Sequence, residues 1–420
     1  MEYHPRLIEE KIHHLSDVFP VVVLCGARQA GKSTLMAHVL GGKVPAFVFD
    51  PVTDVANARE DPELFLRLNP PPLFLDEVQY APELLPVLKR IADQSPERSG
   101  QYFLTGSQQL EVLTKVKESL AGRAVLIDLW PMSRGERAGS LKAGLLAALY
   151  AEAPPKDAYA LVNRLRESGP PPLPAGNLLE RLFRGGFPRL LHVGIDDVPV
   201  WFSSYVRTYV ERDVRVLRDV SSPHDFSRFL RLVAAITAQD VNASHLGREI
   251  GVTPRTAKAW LDILAASYQV VLLDAYSGNA IKRVSGRPRA HLCDTGLAAN
   301  LLSVSSPPAL GNHRSLGALF ETFAVTEILK TAEALTLKPQ AWHWRTLAGA
   351  EVDLLLERDG VFVPIEVKLS SRPSRRDLSG LHAFVETYPK LDIGPRIVVH
   401  GGSELFLVDE STAAVPVDWV

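Results

Sequence analysis

Apolar and polar positions along the chain fall into two regimes. Residues 5–17 place apolar side chains on one face of a helical period and predict a short amphipathic helix. Residues 20–25 (PVVVLC) are continuously apolar, the pattern of a strand covered on both faces. A glycine-rich turn follows, and then a helix from about Ser33 to Leu40. The segments 45–50 (PAFVFD), 72–77 (PLFLDE) and 101–107 (QYFLTGS) repeat the buried-strand pattern, with helical stretches between them. Such alternation predicts an α/β, three-layer sandwich.

The pattern changes after about Pro131. Residues 131–220 read as mostly helical, interrupted by PPK and by a proline-rich stretch at 169–176 that suits only an exposed loop. Residues 225–275 read as helical and end in a β-like run, YQVVLLDAY. A helix is expected over 316–332, and then EVDLLLERDGVFVPIEVK alternates like a hairpin around Asp359-Gly360. The expected division is a core at 1–130, a helical region at 131–220 with an insertion at about 138–178, a third domain at 221–300 and a fourth at 312–420.

Composition narrows the class. With 46% hydrophobic and 22% charged residues, the chain of 420 residues is an ordinary folded protein of several domains. A net charge of −2 gives no global basic field, so any nucleic-acid contact has to be a local patch. Cys25 and Cys293 are far apart, with no CxxC or histidine partner, and read as buried apolar residues in a reducing compartment. The first residues are charged and amphipathic, and no apolar run reaches about 18 residues. A cytoplasmic location without membrane insertion is the expectation.

The chemistry begins after the first strand. Gly26, Ala27, Arg28, Gln29, Ala30, Gly31, Lys32 and Ser33 match GxxxxGK[ST] between a buried strand and a helix, and Thr34 follows. Glycines let backbone N–H groups curl around phosphates, and the helix N-terminus adds partial positive charge. Lys32 is expected to reach the β- and γ-phosphates of ATP, and Ser33 to ligate Mg²⁺. Asp76 ends a later apolar strand, where it would hold Mg²⁺ through water, and Glu77 is placed to polarise an attacking water. Read without the P-loop, the same pair could be two acids opening a surface turn. Thr105-Gly106-Ser107 ends the fourth of these strands, so Ser107 would lie near the γ-phosphate. The segment ESLAGR at 118–123 ends a polar stretch in Arg123, which fits an arginine finger acting on a neighbouring subunit, or an ordinary surface arginine. A finger acting in trans requires a ring or a head-to-tail oligomer, for which a hexamer is the expected form.

Taken in order, GARQAGKST, LDEVQ, FLTGS, ESLAGR, RGGFP (184–188), YVERDV (209–214), CDTGL (293–297) and EVDLLLE…PIEVK resemble a group of bacterial and archaeal AAA+ ATPases whose C-terminal domain has no assigned function. The resemblance covers nearly the whole chain. It implies an ATPase core with Ser107 at the sensor-1 position, a small helical lid, a winged helix and a domain like the PD-(D/E)XK nucleases. It leaves the sensor-2 arginine open between Arg184 and Arg212.

Residues 244–264 read on their own as a helix-turn-helix, with the turn at Gly251 and a second helix opened by Thr253-Pro254. Arg255, Thr256 and Lys258 would lie at the start of the second helix, where such helices touch DNA. Lys282, Arg283, Arg287 and Arg289 make a basic segment without acids, suited to a wing on the phosphate backbone. The alternative is a fold that only packs against the ATPase. Asp353, Glu366 and Lys368 form Asp-x12-Glu-x-Lys across the expected hairpin, and Glu321 on the preceding helix resembles the nuclease-like domain's further acid. Two carboxylates there could hold Mg²⁺ while the lysine orients water, or the domain has decayed and keeps only the fold. The function expected is a ring-forming ATPase that binds branched or duplex DNA and couples ATP hydrolysis to its handling. The rivals are an ATP-gated regulatory switch whose C-terminal half binds a protein or an operator, and a metal-dependent nuclease with an ATPase clamp.

Overall fold

The computed structural model describes residues 3–106, 120–141, 144–214, 220, 222–279 and 286–420, without the side chains of residues 211–213. It divides into two compact units, one of residues 6–131 with 266–268 and one of residues 1–5, 132–265 and 269–420.

The first unit is built on five parallel strands, β1 (Val21–Gly26), β2 (Ala46–Val48), β3 (Leu73–Asp76), β4 (Tyr102–Gly106) and β5 (Ala124–Leu129), in the order β2-β3-β4-β1-β5. The unbroken apolar run makes β1 central: all six of its residues are buried between β4 and β5. The helix Leu84–Gln94 turns Leu84, Leu85, Val87 and Leu88 into the core, each worth about 1.5–3 kcal/mol on full burial. β2 departs from the expectation of a strand covered on both faces. It is the sheet edge, with Ala46 and Val48 exposed, and among the described residues no strand pairs beyond it. Tyr268, from much later in the chain, belongs to this unit. Its hydroxyl donates to Asp128 Oδ1 at 2.5 Å, and its ring meets Trp130 edge-on at 5.5 Å.

The second unit opens with short helices at Arg134–Arg137, Gly144–Leu149, Ala158–Ser168, Leu178–Arg184 and Val198–Thr208. The RGGFP and CDTGL segments turn out to be one joint. Asp294 Oδ1 accepts the Leu297 N–H, capping the helix Thr295–Leu301, while Oδ2 accepts the Gly186 N–H at 2.6 Å. Gly185, at φ 71°, has no room for a side chain, since a Cβ would sit 2.1 Å from Asp294 Oδ1. The expected insertion docks locally: the helix Ala158–Ser168 packs on the C-terminal strands β14 (Phe406–Asp409) and β15 (Thr412–Pro416), and Arg358 stacks 4.1 Å over the Tyr150 ring.

Between them lies a helix–strand–helix–helix–strand–strand order: Pro223–Ala235, β6 (Gln239–Asp240), Ala243–Ile250, Pro254–Ala266, β7 (Val270–Leu273) and β8 (Arg289–Leu292). The three strands form an antiparallel sheet, β6-β8-β7. A mixed sheet of seven closes the chain: β9 (Gln340–Arg345), β10 (Glu351–Arg358), β11 (Val361–Lys368), β12 (Asp392–Ile393), β13 (Arg396–His400), β14 and β15, in the order β14-β15-β13-β11-β10-β9 with β12 beside β11. The β10–β11 turn is the expected tight one, with Asp359 at φ 58° and Gly360 at φ 82°, both left-handed as a two-residue hairpin requires. The helices Leu316–Ala332 and Ser379–Thr387 pack on β10 and β11. Cys25 and Cys293 are both buried and unpaired with each other. Among the described residues, no helix is long and apolar enough to cross a membrane.

Candidate nucleotide site and an acidic cluster

The strand β1 delivers the chain to a loop that only small residues can make. Gly26, at φ 155°, lies so close to β5 that a Cβ would meet the Leu129 carbonyl oxygen at 2.2 Å. Ala27 and Ala30 are buried, Gln29 (φ 61°) and Gly31 (φ 98°) are left-handed, Arg28 is half-buried, and Ser33 and Thr34 are exposed at the first turn of the helix Lys32–Val39. Lys32 is folded into the loop, its Nζ donating to the Gly26 and Ala27 carbonyls at 2.9 and 3.0 Å. Burial pushes its ammonium below the usual lysine range, against a smaller opposing pull from Glu77, Cys25 and Asp76.

Asp76 and Glu77 sit at the end of β3, which β4 separates from β1. The Thr105 hydroxyl, at the tip of β4, donates to Asp76 Oδ1 and accepts the Glu77 N–H at 3.2 Å. Glu77 has φ 57°, and Gln79 Nε2 donates to its Oε2. The donor set fits a nucleotide and Mg²⁺: Ser33 and Asp76 would hold the ion, which when bound neutralises charge on the β- and γ-phosphate oxygens. Lys32 would turn from carbonyls to phosphate, and Glu77 would orient water.

Ser107, the remaining residue expected here, lies outside the described residues, as do Glu118 and Ser119. Arg123 precedes β5. Val21 N–H bonds its carbonyl at 3.2 Å, so it stands at the end of the sheet opposite Gly26, about 17 Å of strand away. Its guanidinium pairs with Asp93 and the Ala121 carbonyl, in the same unit. Arg184 Nη1 donates to the Leu190 and Val193 carbonyls at 2.6 and 2.5 Å. The Arg212 side chain lies outside the described residues.

Two positions were missed by sequence reasoning. Thr105 was passed over for Ser107, although a strand-end hydroxyl level with Asp76 was visible in FLTGS. Arg6 is buried and donates to the P-loop carbonyl of Ala30 at 2.9 Å and to that of Trp130 at 2.7 Å. Nothing local marks it, because its partners are far along the chain.

In the helix-turn-helix, Thr253 Oγ1 accepts the Thr256 N–H at 3.1 Å and so caps the helix Pro254–Ala266. That helix buries Ala257, Trp260, Leu261, Ile263 and Leu264 and exposes Arg255 and Lys258. Lys258 is 3.3 Å from Asp262. The expected basic wing is corrected at one residue. Arg287 is exposed and Lys282 and Arg283 lie outside the described residues, but Arg289 is buried in β8 and cannot reach a DNA backbone. Both ends of the β7–β8 connection are anchored to the C-terminal sheet. Tyr276 packs among Trp342, Phe362, Phe384 and Tyr388, and His343 Nε2 donates to the Arg287 carbonyl at 3.0 Å.

Glu321 and Asp353 come together on Arg289, while Glu366 and Lys368 pair with each other near Asp353. The Arg289 guanidinium lies 3.2 Å from Glu321, 3.0 Å from Asp353, 2.8 Å from Glu351 and 3.5 Å from Asp240. Lys368 Nζ donates to Glu366 Oε1 at 2.5 Å, and the Val367 N–H donates to Asp353 Oδ2 at 2.8 Å. Burial would lower the arginine's affinity for its proton, but Glu321, Asp353 and Glu351 more than offset it. Burial and then the neighbouring Asp353 charge push Glu366 up to about 8. A carboxyl raised on folding stabilises most when protonated, so its contribution is full below the ordinary carboxylate range and is lost as pH rises through about 8. Glu366→Gln is therefore expected to raise the thermal midpoint at pH 9 by at least about 2–4 °C, equivalent to one kcal/mol, with little change at pH 5. Equal midpoints for the two proteins at both pH values would contradict this.

Three family models match the chain. Residues 18–138 match an AAA domain, residues 176–308 a domain of unknown function (DUF8612) and residues 316–420 another (DUF4143). Uncharacterized proteins of Mycobacterium tuberculosis and Mycobacterium bovis are each 29% identical over 96% of this chain and 81% of theirs. Among solved structures, a Walker-type ATPase of Pyrococcus abyssi aligns over 70% of this chain and 94% of its own at 16% identity, TM-score 0.41. The RuvB Holliday junction branch migration motor of Thermotoga maritima aligns over 63% and 88% at 16% identity, TM-score 0.29. Both scores are too low to carry an argument. The N-terminal unit is a P-loop ATPase domain of the AAA type, with its Walker residues in place.

Proposed function

We propose that this protein is an ATP-hydrolysing machine that assembles head to tail, as a hexameric ring, and engages DNA through the helix-turn-helix of its second unit. The helix–strand–helix–helix–strand–strand order with a three-stranded antiparallel sheet fits a winged helix, and the mixed sheet that follows fits a nuclease-like fold. The observation that carries the DNA reading is the helix Pro254–Ala266, capped at Thr253, with its apolar face buried and Arg255 and Lys258 exposed near its start. Exposed cations on a fixed helix bind phosphate without base preference and raise the local concentration of duplex.

Arg255→Ala and Lys258→Ala together, with Arg287→Ala, are expected to weaken duplex binding across sequences. The log–log salt slope should flatten by roughly 0.9 for each phosphate that is no longer neutralised. Unchanged affinity and slope would leave the helix-turn-helix as a packing module. That second reading, an ATP-gated switch, has its own support: Tyr276 and Arg289 bind both ends of the β7–β8 connection to the C-terminal sheet, so this segment is held by the protein itself. ATP turnover measured with and without a panel of duplex, single-stranded and branched DNA separates the two. Stimulation supports DNA handling, and turnover indifferent to every DNA supports the switch. Metal-dependent cutting forms no part of the proposal, given the guanidinium in the acidic cluster.

A further inference from the structure

Two of the acids that resemble a nuclease metal site, Asp353 and Glu321, hold an arginine between them. Arg289 Nη1 lies 3.0 Å from Asp353 Oδ1 and 3.2 Å from Glu321 Oε1, so one expected metal ligand and the further acid share one guanidinium nitrogen. Nη2 bonds Glu351 Oε2 at 2.8 Å, and Nε faces Asp240 Oδ1 at 3.5 Å. The side chain of Arg289 is 3% exposed. Asp353 Oδ2 is taken by the Val367 N–H, and one oxygen of Glu366 by Lys368. Among the described residues, no three carboxylate, imidazole or thiol groups converge as metal ligands would. A hard divalent cation needs about six or more oxygens within roughly 2.0–2.6 Å, and the donor set around a guanidinium does not supply them.

We propose that Arg289 is the resident cation of this cluster, and that the cluster is a clamp fastening β8 to β6, β10 and the helix Leu316–Ala332 rather than a divalent-metal centre. The chemistry suits the role. Acids from several elements brought together in a poorly solvated place repel one another, and they need a positive charge that cannot dissociate. A guanidinium is always protonated, and its planar fork of donors can serve several carboxylates at once. Arg289 comes from the first position of β8, so the clamp fixes the strand at the root of the β7–β8 connection.

The test is Mn²⁺ binding to the full-length, nucleotide-free protein, followed by electron paramagnetic resonance of the free ion. Asp76→Asn is present throughout to remove the P-loop's own metal ligand. With Arg289 in place, no Mn²⁺ that Asp353→Asn abolishes is expected up to about 1 mM, the weak end of protein cation sites. Arg289→Gln is expected to lower the thermal midpoint, because it leaves Glu321, Asp353 and Glu351 without their shared counter-charge, and adding Asp353→Asn is expected to recover part of that loss. Binding that needs Asp353 while Arg289 is present overturns the proposal, and so does a folded Arg289→Gln protein as stable as its parent. If Arg289→Gln does not fold, the comparison of proteins with and without Asp353→Asn, both at intact Arg289, decides alone.

Discussion

Lys32→Ala is expected to abolish tight ATP binding, and Glu77→Gln to preserve binding while lowering turnover about 10²–10⁴-fold. The two outcomes differ because the two side chains do different work. Lys32 Nζ sits among the P-loop carbonyls of Gly26 and Ala27, inside the loop that would wrap a bound nucleotide's phosphates. It is buried and its ammonium is destabilised there, so phosphate oxygens would supply a stronger counter-charge than the nearby acids do. Alanine removes that attraction altogether. Glu77 is held differently, by a left-handed backbone, by Thr105 through its N–H and by Gln79 through its carboxylate. Glutamine keeps the shape and loses the basic oxygen that would orient water. Fluorescent nucleotide titration and phosphate release measure the pair of effects, and near-normal turnover in Glu77→Gln would remove the glutamate from the mechanism. Thr105→Val should show a milder version of the same loss, since it deletes the hydroxyl that joins Asp76 to the Glu77 backbone.

Arg123→Ala is expected to cost about 10³-fold or more in turnover with nucleotide binding intact, the size of effect seen when a finger is lost. The geometry excludes action on its own site, because Arg123 stands at the far end of β5 from Gly26. Its ion pair with Asp93 is half-exposed and worth only about 0–1 kcal/mol, so it can be given up for a phosphate on a neighbouring copy. Mixing Arg123→Ala with Lys32→Ala subunits should restore turnover, since the first keeps a working nucleotide site and the second a working arginine. Full activity in Arg123→Ala, or wild-type turnover per chain that is constant down to dilutions where only monomers exist, would reduce Arg123 to a surface residue.

The parts of this molecule that were legible in the sequence are those whose cause is local. A strand buried on both faces shows as the run VVVLC, a phosphate loop as glycines and a lysine at fixed spacing, and a tight hairpin as Asp359-Gly360 between alternating strands. The helix over 316–332 and the helix-turn-helix around Gly251 follow in the same way from periodicity and caps. What escaped was set by partners distant in sequence. Arg289 sits in a stretch with Lys282, Arg283 and Arg287 and reads as basic surface, yet acids from β6, β10 and the helix Leu316–Ala332 draw it inside. Arg6 looks like any charged residue before a surface helix until Ala30 and Trp130 are brought to it. PAFVFD has the composition of a covered strand, but Ala46 and Val48 stay exposed on the edge strand, since what packs over a strand's faces is set by segments distant in sequence. The RGGFP and CDTGL segments were recognisable separately, whereas the hydrogen bond from Gly186 to Asp294 that makes them one joint was not.

Tyr268 bears on how the protein is made. Its ring and hydroxyl complete the surface around Trp130 and Asp128, though most of that unit is synthesised before Met132. Domains usually fold as they leave the ribosome, N-terminal first. The nucleotide-binding unit would then emerge early and lack the Tyr268 contacts to Asp128 and Trp130 until the helix-turn-helix has been translated. Ribosome-stalled chains ending before Tyr268 should therefore be protease-sensitive at Trp130, and chains long enough to expose Tyr268 should not.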